Sequence, residues 1–257
     1  MDKRDSYLYG LFITDANLYL TSRNRGRISL EVSEKDSDIV IKLFEEIPNS
    51  HIRKRTRDTN FKQGYTTFTF VNGHKPFRDY FIECGFPTED KTNNANTPQV
   101  EYDELSFWRG VIDGDGSLGY QKYNSSENEK EIPFVSLVTK SEVLKQAYCN
   151  FLQKRYGITK KVSRNKRDDA YNISINCEVA QQLAKDLYLS EERCLCLDRK
   201  YNLAKDIQNW VRKHPKKIIH KWTEEEDNYI LSHTVKQSAK YIRMSETSIR
   251  TRLSKIK

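Results

Sequence analysis

The chain has 257 residues, with 44 Lys and Arg against 36 Asp and Glu, and a formal net charge of +8. This length permits one large domain or two small ones with a buried core, and the lack of any long apolar run excludes a membrane span. The sequence after Met1 shows no targeting signal, and five cysteines without a CxxC pair argue against a disulfide framework or a zinc knuckle, so a reducing intracellular compartment is expected.

The excess positive charge lies in the last quarter of the chain. Residues 199–257 contain 15 basic and 6 acidic residues, whereas the rest of the chain contains 29 and 30. A basic terminal segment is typical of proteins that bind a polyanion, because its cations displace counterions from the partner. The charge distribution therefore predicts a polyanionic partner.

The first part of the chain predicts the element order αββαββα. The stretch "YLYGLFITDANL" (7–18) is largely apolar and predicts a helix that ends at Asp15. An alternating hairpin, an amphipathic helix, a second hairpin and a third helix follow. Together they form a predicted first half over 1–86, which a polar linker over 87–101 separates from the rest.

The same order of elements recurs after the linker, in a predicted second half over 102–208. The stretch "FWRGVIDGDGSL" (107–118) again predicts a helix that ends at an aspartate, Asp115. A hairpin and a helix follow, and then strands are predicted near 160–167 and 170–176, before another helix. The sequence therefore indicates an internal duplication.

Small residues recur four positions apart in the two aspartate-terminated helices: Gly10 and Thr14 in the first, Gly110 and Gly114 in the second. Such residues allow two helices to pack backbone to backbone. The terminal aspartates would then lie side by side at the negative ends of two helix dipoles and repel each other unless a cation separates them. Mg²⁺ suits this arrangement because it is held by one or two carboxylates together with substrate phosphate and water.

The repeated pattern resembles the single-chain, two-motif LAGLIDADG homing endonucleases over roughly residues 6–205. "WRGVIDGDG" (108–116) fits the nine-residue motif, and "LYGLFITDA" (8–16) fits it with departures at Ile13 and Ala16. The resemblance implies an α+β fold with a pseudo-symmetric, duplicated αββαββα unit and antiparallel DNA-binding sheets. It also implies a site-specific double-strand DNA endonuclease that hydrolyses phosphodiesters and promotes the mobility of its own gene.

The resemblance further implies the residues of the active site. Besides the aspartates, a peripheral basic residue would follow each half, and a residue at the end of the second strand of each half would help to organise solvent. The expected catalytic residues are Asp15, Asp115, Lys91, Lys200, Glu34 and Lys140. The expected metal site consists of Asp15, Asp115, Thr14 and Gly114. It would hold two or more Mg²⁺ ions, with Mn²⁺ or Ca²⁺ as substitutes for binding.

The implied partner is double-stranded DNA, with the RNA of the protein's own intron as a second candidate. The protein is expected to be a monomer with internal pseudo-two-fold symmetry and no membrane contact, in a bacterial or phage cytoplasm or in an organelle. Three basic segments predicted on strands and turns would contact the DNA, because alternate residues of a strand share one side. Their cations are Arg23, Arg25, Arg27, Arg53, Arg55, Arg57, Lys161, Arg164, Lys166 and Arg167.

The C-terminal segment predicts a small all-α module over 218–257, joined to the body by a basic connector over 209–217. Thr223 starts the first of three short helices with a T-x-x-E capping box, and Ser245 is the predicted N-cap of the last. Ala239 occupies the position of the small residue in helix-turn-helix units, and the segment resembles a Myb-like or other helix-turn-helix module. A segment that only packs on the body is the alternative, because Arg243 stands at a turn position that often holds glycine. Its predicted DNA-contacting residues are Arg250, Arg252 and Lys255.

Other interpretations fit these residues less well. "DGDGS" resembles the start of an EF-hand loop, but Leu118 and Asn124 stand where that loop needs Gly and Glu. Aspartates that merely end two helices would not explain their recurrence in register. A nucleic-acid-binding protein without cleavage, either an intron RNA maturase or a transcription regulator, is the alternative function, and retention of both aspartates favours the nuclease.

Overall fold

A computed structural model describes residues 1–23, 25–60, 63–125, 128–191, 194–212 and 220–256, with side chains left out at 123–125 and 128–130. The chain forms two compact units, residues 1–212 and 213–257. Within the described ranges, no helix is long and apolar enough to cross a membrane.

The first half of the larger unit has the predicted order αββαββα. Its elements are α1 (Lys3–Asp15), β1 (Ala16–Leu20), β2 (Gly26–Ser33), α2 (Ser37–Glu46), β3 (Ser50–Arg57), β4 (Tyr65–Asn72) and α3 (Lys75–Glu83). The strands form one antiparallel sheet in the order β1-β2-β4-β3. A 3-10 turn, Glu34–Asp36, leads into α2, and a short helix α4 (Lys91–Asn94) lies within the predicted linker.

The described residues of the second half form one strand fewer than predicted. Its elements are α5 (Glu104–Asp115), β5 (Gly116–Ser125), β6 (Asn128–Thr139), α6 (Glu142–Tyr156), β7 (Tyr171–Asn176), α7 (Cys177–Tyr188) and α8 (Asp198–Gln208). The sheet has the order β5-β6-β7, and all of its pairs are antiparallel.

The prediction of a strand over 160–167 is wrong. The segment crosses the edge of β7 without joining its ladder. The Lys160 ammonium donates to the Ser174 carbonyl at 2.7 Å, and the backbone-to-backbone hydrogen bond of the segment runs from the Asn165 N–H to the Ala170 carbonyl. Asp169 adopts a left-handed conformation with φ of 52°, which turns the chain before β7. Alternating basic residues predict a strand, but here side-chain contacts replace the backbone pairing.

The paired helices α1 and α5 lie in the core, and each is buried over most of its length. Both sheets turn apolar residues toward the core, among them Leu30 and Phe70 in the first and Val135 and Ile173 in the second. The strand registers place the alternate residues on the opposite face of each sheet. We call this the open face of each sheet.

Residues 220–256 of the smaller unit contain three helices, as predicted: α9 (Glu224–Ser232), α10 (Val235–Ile242) and α11 (Glu246–Ile256). The capping box of Thr223 with Glu226 is present, and Ser245 accepts from the backbone N–H of Ser248 at 3.2 Å. The turn between α10 and α11 contains Arg243 in a left-handed conformation, with φ of 57°. Ser238 is fully buried, whereas Ala239, the small residue singled out from the sequence, is half-buried.

Candidate active site at the paired helix ends

Two glycines allow α1 and α5 to touch backbone to backbone. A Cβ atom added to Gly10 would lie 2.2 Å from the carbonyl oxygen of Phe107, and one added to Gly110 would lie 2.2 Å from that of Tyr7. Farther along, a Cβ on Gly114 would lie 2.0 Å from Thr14 Oγ1. The close packing expected from the small residues is therefore present, and it extends to the C-terminal ends of both helices.

This packing brings the two terminal aspartates together. A Cβ on Gly114, the residue before Asp115, would lie 3.3 Å from the carboxyl carbon of Asp15. Desolvation, followed by the negative charge of Asp15, raises the pKa of Asp115 to about 6, although its side chain remains solvent-accessible. Desolvation also raises the pKa of Asp15, while the positive charges of Lys91 and Lys200 oppose the rise. The pair is thus a crowded anionic site that favours a bound cation.

The two predicted lysines occupy corresponding positions beneath the helix ends. Lys91 donates to the carbonyl of Thr14 at 2.5 Å and, more weakly, to that of Phe12 at 3.4 Å. Lys200 donates to three carbonyls at the end of α5, those of Ile112, Asp113 and Gly116. Each lysine therefore satisfies orphan carbonyls at the negative end of one helix and places a cation close to the carboxylate pair.

The environments of the two lysines differ. Lys200 is 1% exposed, and desolvation lowers its pKa to about 8. Desolvation also lowers the pKa of Lys91, and the negative charges of Asp15 and Asp115 partly offset this effect. Lys91 lines an open cavity of about 310 Å³ together with Asp115 and Lys140.

Only one of the two residues predicted to organise solvent lies in the cavity beside Asp115. Lys140 follows β6 directly and lines the cavity beside Asp115. Glu34 follows β2 as expected, but it lines a separate groove with Lys35 and Tyr65. Glu34 and Lys140 therefore occupy equivalent positions along the chain but lie in different surroundings.

Asp113 is a structural residue, in agreement with its lack of an acidic counterpart in the first motif. Its buried carboxylate accepts hydrogen bonds from Tyr7 at 2.8 Å, from Tyr188 at 2.7 Å and from the backbone N–H of Leu197 at 2.9 Å. Desolvation raises the pKa of Asp113, and the largest opposing effect is the positive charge of Lys200. The sequence indicated neither tyrosine, because each lies at least 75 residues from Asp113 and no local pattern marks the contact.

Comparisons with known proteins agree with this architecture. Residues 103–191 match the family model of the LAGLIDADG-like domain. The meganuclease I-SmaMI bound to uncleaveable DNA with a TTGT central four superposes with a TM-score of 0.52 at 11% identity, over 79% of this chain and 87% of that one. The chain has the LAGLIDADG homing endonuclease fold.

Two further solved structures support this assignment of the LAGLIDADG fold. The I-SmaMI LAGLIDADG homing endonuclease bound to cleaved DNA gives a TM-score of 0.51 at 12% identity, over 79% of this chain and 87% of that one. The homing endonuclease I-WcaI bound to its DNA recognition sequence gives 0.51 at 16% identity, over 79% and 85%. No curated protein sequence matched the chain.

The predicted DNA-contacting arginines of the first half lie on or beside its sheet. Arg53, Arg55 and Arg57 alternate along β3, and all three are exposed. Arg23 and Arg25 lie in the β1–β2 turn. Arg27 extends from β2, with its guanidinium 5.3 Å from the ring centroid of Tyr19.

The basic segment of the second LAGLIDADG half is largely committed to internal contacts. Arg164 stacks on Tyr171, donates to the carboxylate of Asp169 at 3.0 Å and donates to the Lys140 carbonyl at 3.1 Å. Arg167 pairs with the neighbouring Asp168. The two other cations predicted here to contact DNA are exposed and, within the described ranges, form no ion pair: Lys161 and Lys166.

The basic residues of the smaller unit that were predicted to contact DNA also differ in their contacts. Arg252 donates to Asp227 at 2.7 Å and lies 5.7 Å from the ring centroid of Trp222, so it joins α11 to α9. Arg250 forms an exposed i,i+4 pair with Glu246. Lys255 is exposed and lines a groove of about 360 Å³ along α11.

Within the residues that the structure describes, no group of three or more His, Cys, Asp or Glu side chains could hold a metal ion. The carboxylate pair at the ends of α1 and α5 provides hard oxygen donors in an environment that disfavours two unscreened negative charges. These properties fit a hard divalent cation whose other ligands come from substrate and water.

Proposed function

We propose that the protein is a site-specific endonuclease that hydrolyses both strands of a DNA duplex. The observation that carries the proposal is the juxtaposition of Asp15 and Asp115 at the ends of two helices in direct backbone contact. A scaffold that only bound nucleic acid would gain nothing from two desolvated carboxylates next to an anionic partner. The DNA-bound LAGLIDADG structures of similar fold support a duplex as the substrate.

In this proposal Asp15 and Asp115, with the adjoining Thr14 and Gly114, hold divalent cations, of which Mg²⁺ is the best match for sparse carboxylate ligation. Bound there, the cations supply an activated water and stabilisation of the leaving oxygen. Lys91 and Lys200 add fixed positive charge beside the reacting phosphates, and Lys140 lines the same cavity as Lys91 and Asp115. The two halves act within one monomer, and cleavage of a specific site serves the mobility of the gene or intron.

The direct test is to incubate the purified chain with Mg²⁺ and a library of randomised duplexes, and then to sequence the cut ends. We expect cleavage within one extended sequence and no cleavage in EDTA. Specific binding without cut ends would contradict the nuclease and favour the maturase or regulator. A parallel binding assay with the protein's own intron RNA tests the second candidate partner.

Binding of the metal is expected to weaken at acidic pH. With a pKa of about 6 in the metal-free protein, Asp115 is protonated below that pH and must release its proton to bind a cation. The apparent affinity for Mn²⁺, measured by calorimetry from pH 5 to pH 8, should fall by about tenfold per pH unit below 6 and level off above 7. Asp115→Asn should bind more weakly and show no inflection near pH 6. A wild-type affinity that is flat across this range would refute the prediction.

Replacement of either lysine by Met is expected to slow cleavage by about 10²-fold, with little change in DNA affinity, because one stabilising charge is removed. The structure adds a difference between the two variants. Lys200→Met leaves three carbonyls without their donor and should lower the free energy of unfolding by roughly 1–3 kcal/mol, more than Lys91→Met does. Single-turnover cleavage and urea unfolding measure the two effects. Wild-type rates in both variants would show that the lysines only cap helices.

The smaller unit is proposed to be a helix-turn-helix module that adds DNA affinity. Its three helices and the tight turn at Arg243 support this assignment, and Arg250 and Lys255 remain exposed for phosphate contacts. Arg252 instead pairs with Asp227. Residues 213–217 of the predicted connector lie outside the described residues. Arg212 is the last residue of the larger unit and forms an ion pair with Glu178 of the same unit.

Truncation after Arg212 is therefore expected to leave a chain that still cleaves DNA. The negative slope of log affinity against log salt concentration should become shallower by about one unit for each phosphate group that the shortened chain no longer neutralises. The footprint should shorten at one end only, because the first half carries no second copy of the module. Unchanged affinity, slope and footprint would mean that the unit does not bind DNA.

A further inference from the structure

The open face of the first sheet is strongly cationic. The strand registers place Arg53, Arg55 and Arg57 of β3 on this face, and Arg27 of β2 lies on it as well. The β4 residues directly opposite the three β3 arginines are Thr69, Thr67 and Tyr65, all uncharged. Glu31 is the single acidic residue at the paired positions of this face.

The three arginines of β3 are available to a ligand. Each is exposed, and within the described part of the chain none of them forms an ion pair or a side-chain hydrogen bond. A strand rises by about 3.3 Å per residue, so alternate positions from 53 to 57 span about 13 Å. This length corresponds to about four base pairs of a duplex at 3.4 Å each.

The open face of the second sheet has a different chemistry. A row of hydroxyl groups crosses its three strands at Ser117, Ser136 and Ser174. Amide side chains lie beside this row, at Gln121, Asn172 and Asn176, and so do the apolar side chains of Ile132, Phe134 and Val138. Within the described side chains of β5, β6 and β7, this face contains no charged residue.

The difference follows from the missing fourth strand. In the first half, β3 occupies the sheet edge beside β4 and carries the arginine row. In the second half, the segment over 158–170 passes the edge of β7 without forming a strand, and its two arginines are paired with Asp168 and Asp169. The two halves therefore share a fold but present unequal surfaces.

We propose that the two sheets hold the two halves of the DNA target by different chemistry. The arginine row of β3 contacts guanines in one half-site, because Arg donates in bidentate fashion to guanine O6 and N7 in the major groove. The second sheet contacts an A·T-rich half-site, because Asn pairs with adenine and apolar side chains contact the thymine methyl group. This inference rests on the proposed function, since it assumes that the open faces contact a duplex.

The test is to select duplexes from a randomised library with the full-length protein in Ca²⁺, and to sequence the bound molecules. We expect one site with two unlike halves, one with preferred guanines over about four base pairs and the other rich in A·T pairs. The double variant Arg53→Ala/Arg55→Ala should lose about tenfold to a hundredfold in affinity for the selected site and lose the guanine preference. Its salt dependence should also become shallower.

A matched variant of the second sheet, Asn172→Ala/Asn176→Ala, should relax the base preference only in the A·T-rich half-site. The salt dependence of binding should stay unchanged, because no charge is removed. Lys154→Ala removes an exposed cation on α6 and should change neither half. Circular dichroism confirms that each variant is folded.

The outcomes separate this inference from the proposed function. Two results would overturn the inference and leave the proposed endonuclease intact, provided that cleavage is sequence-specific. One is an equal base composition in the two half-sites, and the other is a loss of base preference in the same half-site in both double variants. A loss of salt dependence in the arginine variant with the guanine preference retained would also overturn it, since the arginines would then contact only phosphates. Failure to bind any duplex would overturn both.

Discussion

Asp15→Asn and Asp115→Asn are each expected to abolish double-strand cleavage while affinity for the selected target, measured in Ca²⁺-free buffer, changes by no more than a few fold. Each change removes one of the two carboxylates proposed to hold the divalent cations, and neither removes a cation that contacts phosphate. The side chains are nearly isosteric, so the contact between α1 and α5 should persist. Cleavage of a supercoiled plasmid with one target site distinguishes linear, nicked and uncut products.

A stability measurement separates this loss of activity from misfolding. The folded protein raises the pKa of Asp115 to about 6, above its ordinary value of 3.8, so the ionised form is disfavoured by folding. The associated stability is fully present below the unfolded-state pKa and is lost as the pH rises through about 6. Asp115→Asn should therefore be at least as stable as the wild type at pH 7.5.

Asp206→Asn is a suitable control, because it removes an exposed carboxylate from α8 in the same unit and should leave cleavage unchanged. Loss of target binding together with cleavage in the Asp15 or Asp115 variants would argue that the carboxylates are structural. Undiminished cleavage in either variant would exclude the replaced aspartate from the metal site.

Gly10→Ala and Gly110→Ala are expected to destabilise the larger unit by about 3 kcal/mol each, which is at the upper end for overpacking. In most helix interiors this substitution stabilises by up to about 1 kcal/mol. Here the new methyl group would lie 2.2 Å from a backbone carbonyl oxygen of the facing helix, and no rotamer change can relieve that contact. Urea unfolding measures the loss, and cleavage should fall because the helices must separate.

Gly73→Ala is the matched control. The nearest atom to its added Cβ is a carbonyl oxygen at 3.9 Å, an ordinary van der Waals distance. Its free energy of unfolding should stay within about 0.5 kcal/mol of the wild-type value. If the two helix variants behaved like this control, the direct backbone contact between α1 and α5 could not exist in solution.

The elements and the carboxylate pair could be predicted from the sequence because they depend on local and repeated patterns. A helix or a strand is specified by the spacing of apolar residues along a short segment, and caps such as Thr223 are specified by neighbours three positions away. The recurrence of glycines and a terminal aspartate in register predicted that two similar helices would pack and align their ends. The close approach at Gly10 and Gly110 confirms that packing.

The tertiary structure decided what each charged side chain does. Lys91 and Lys200 bind helix-end carbonyls, Asp113 is held by two tyrosines, and Arg164 is committed to internal contacts. Apart from those of Arg164, these contacts join residues more than 70 positions apart. The segment over 160–167 has the residue pattern of a strand, yet the edge of β7 is met by the Lys160 side chain. Local patterns specify which face of an element is polar, but the partner of each polar group depends on which distant elements packing brings beside it.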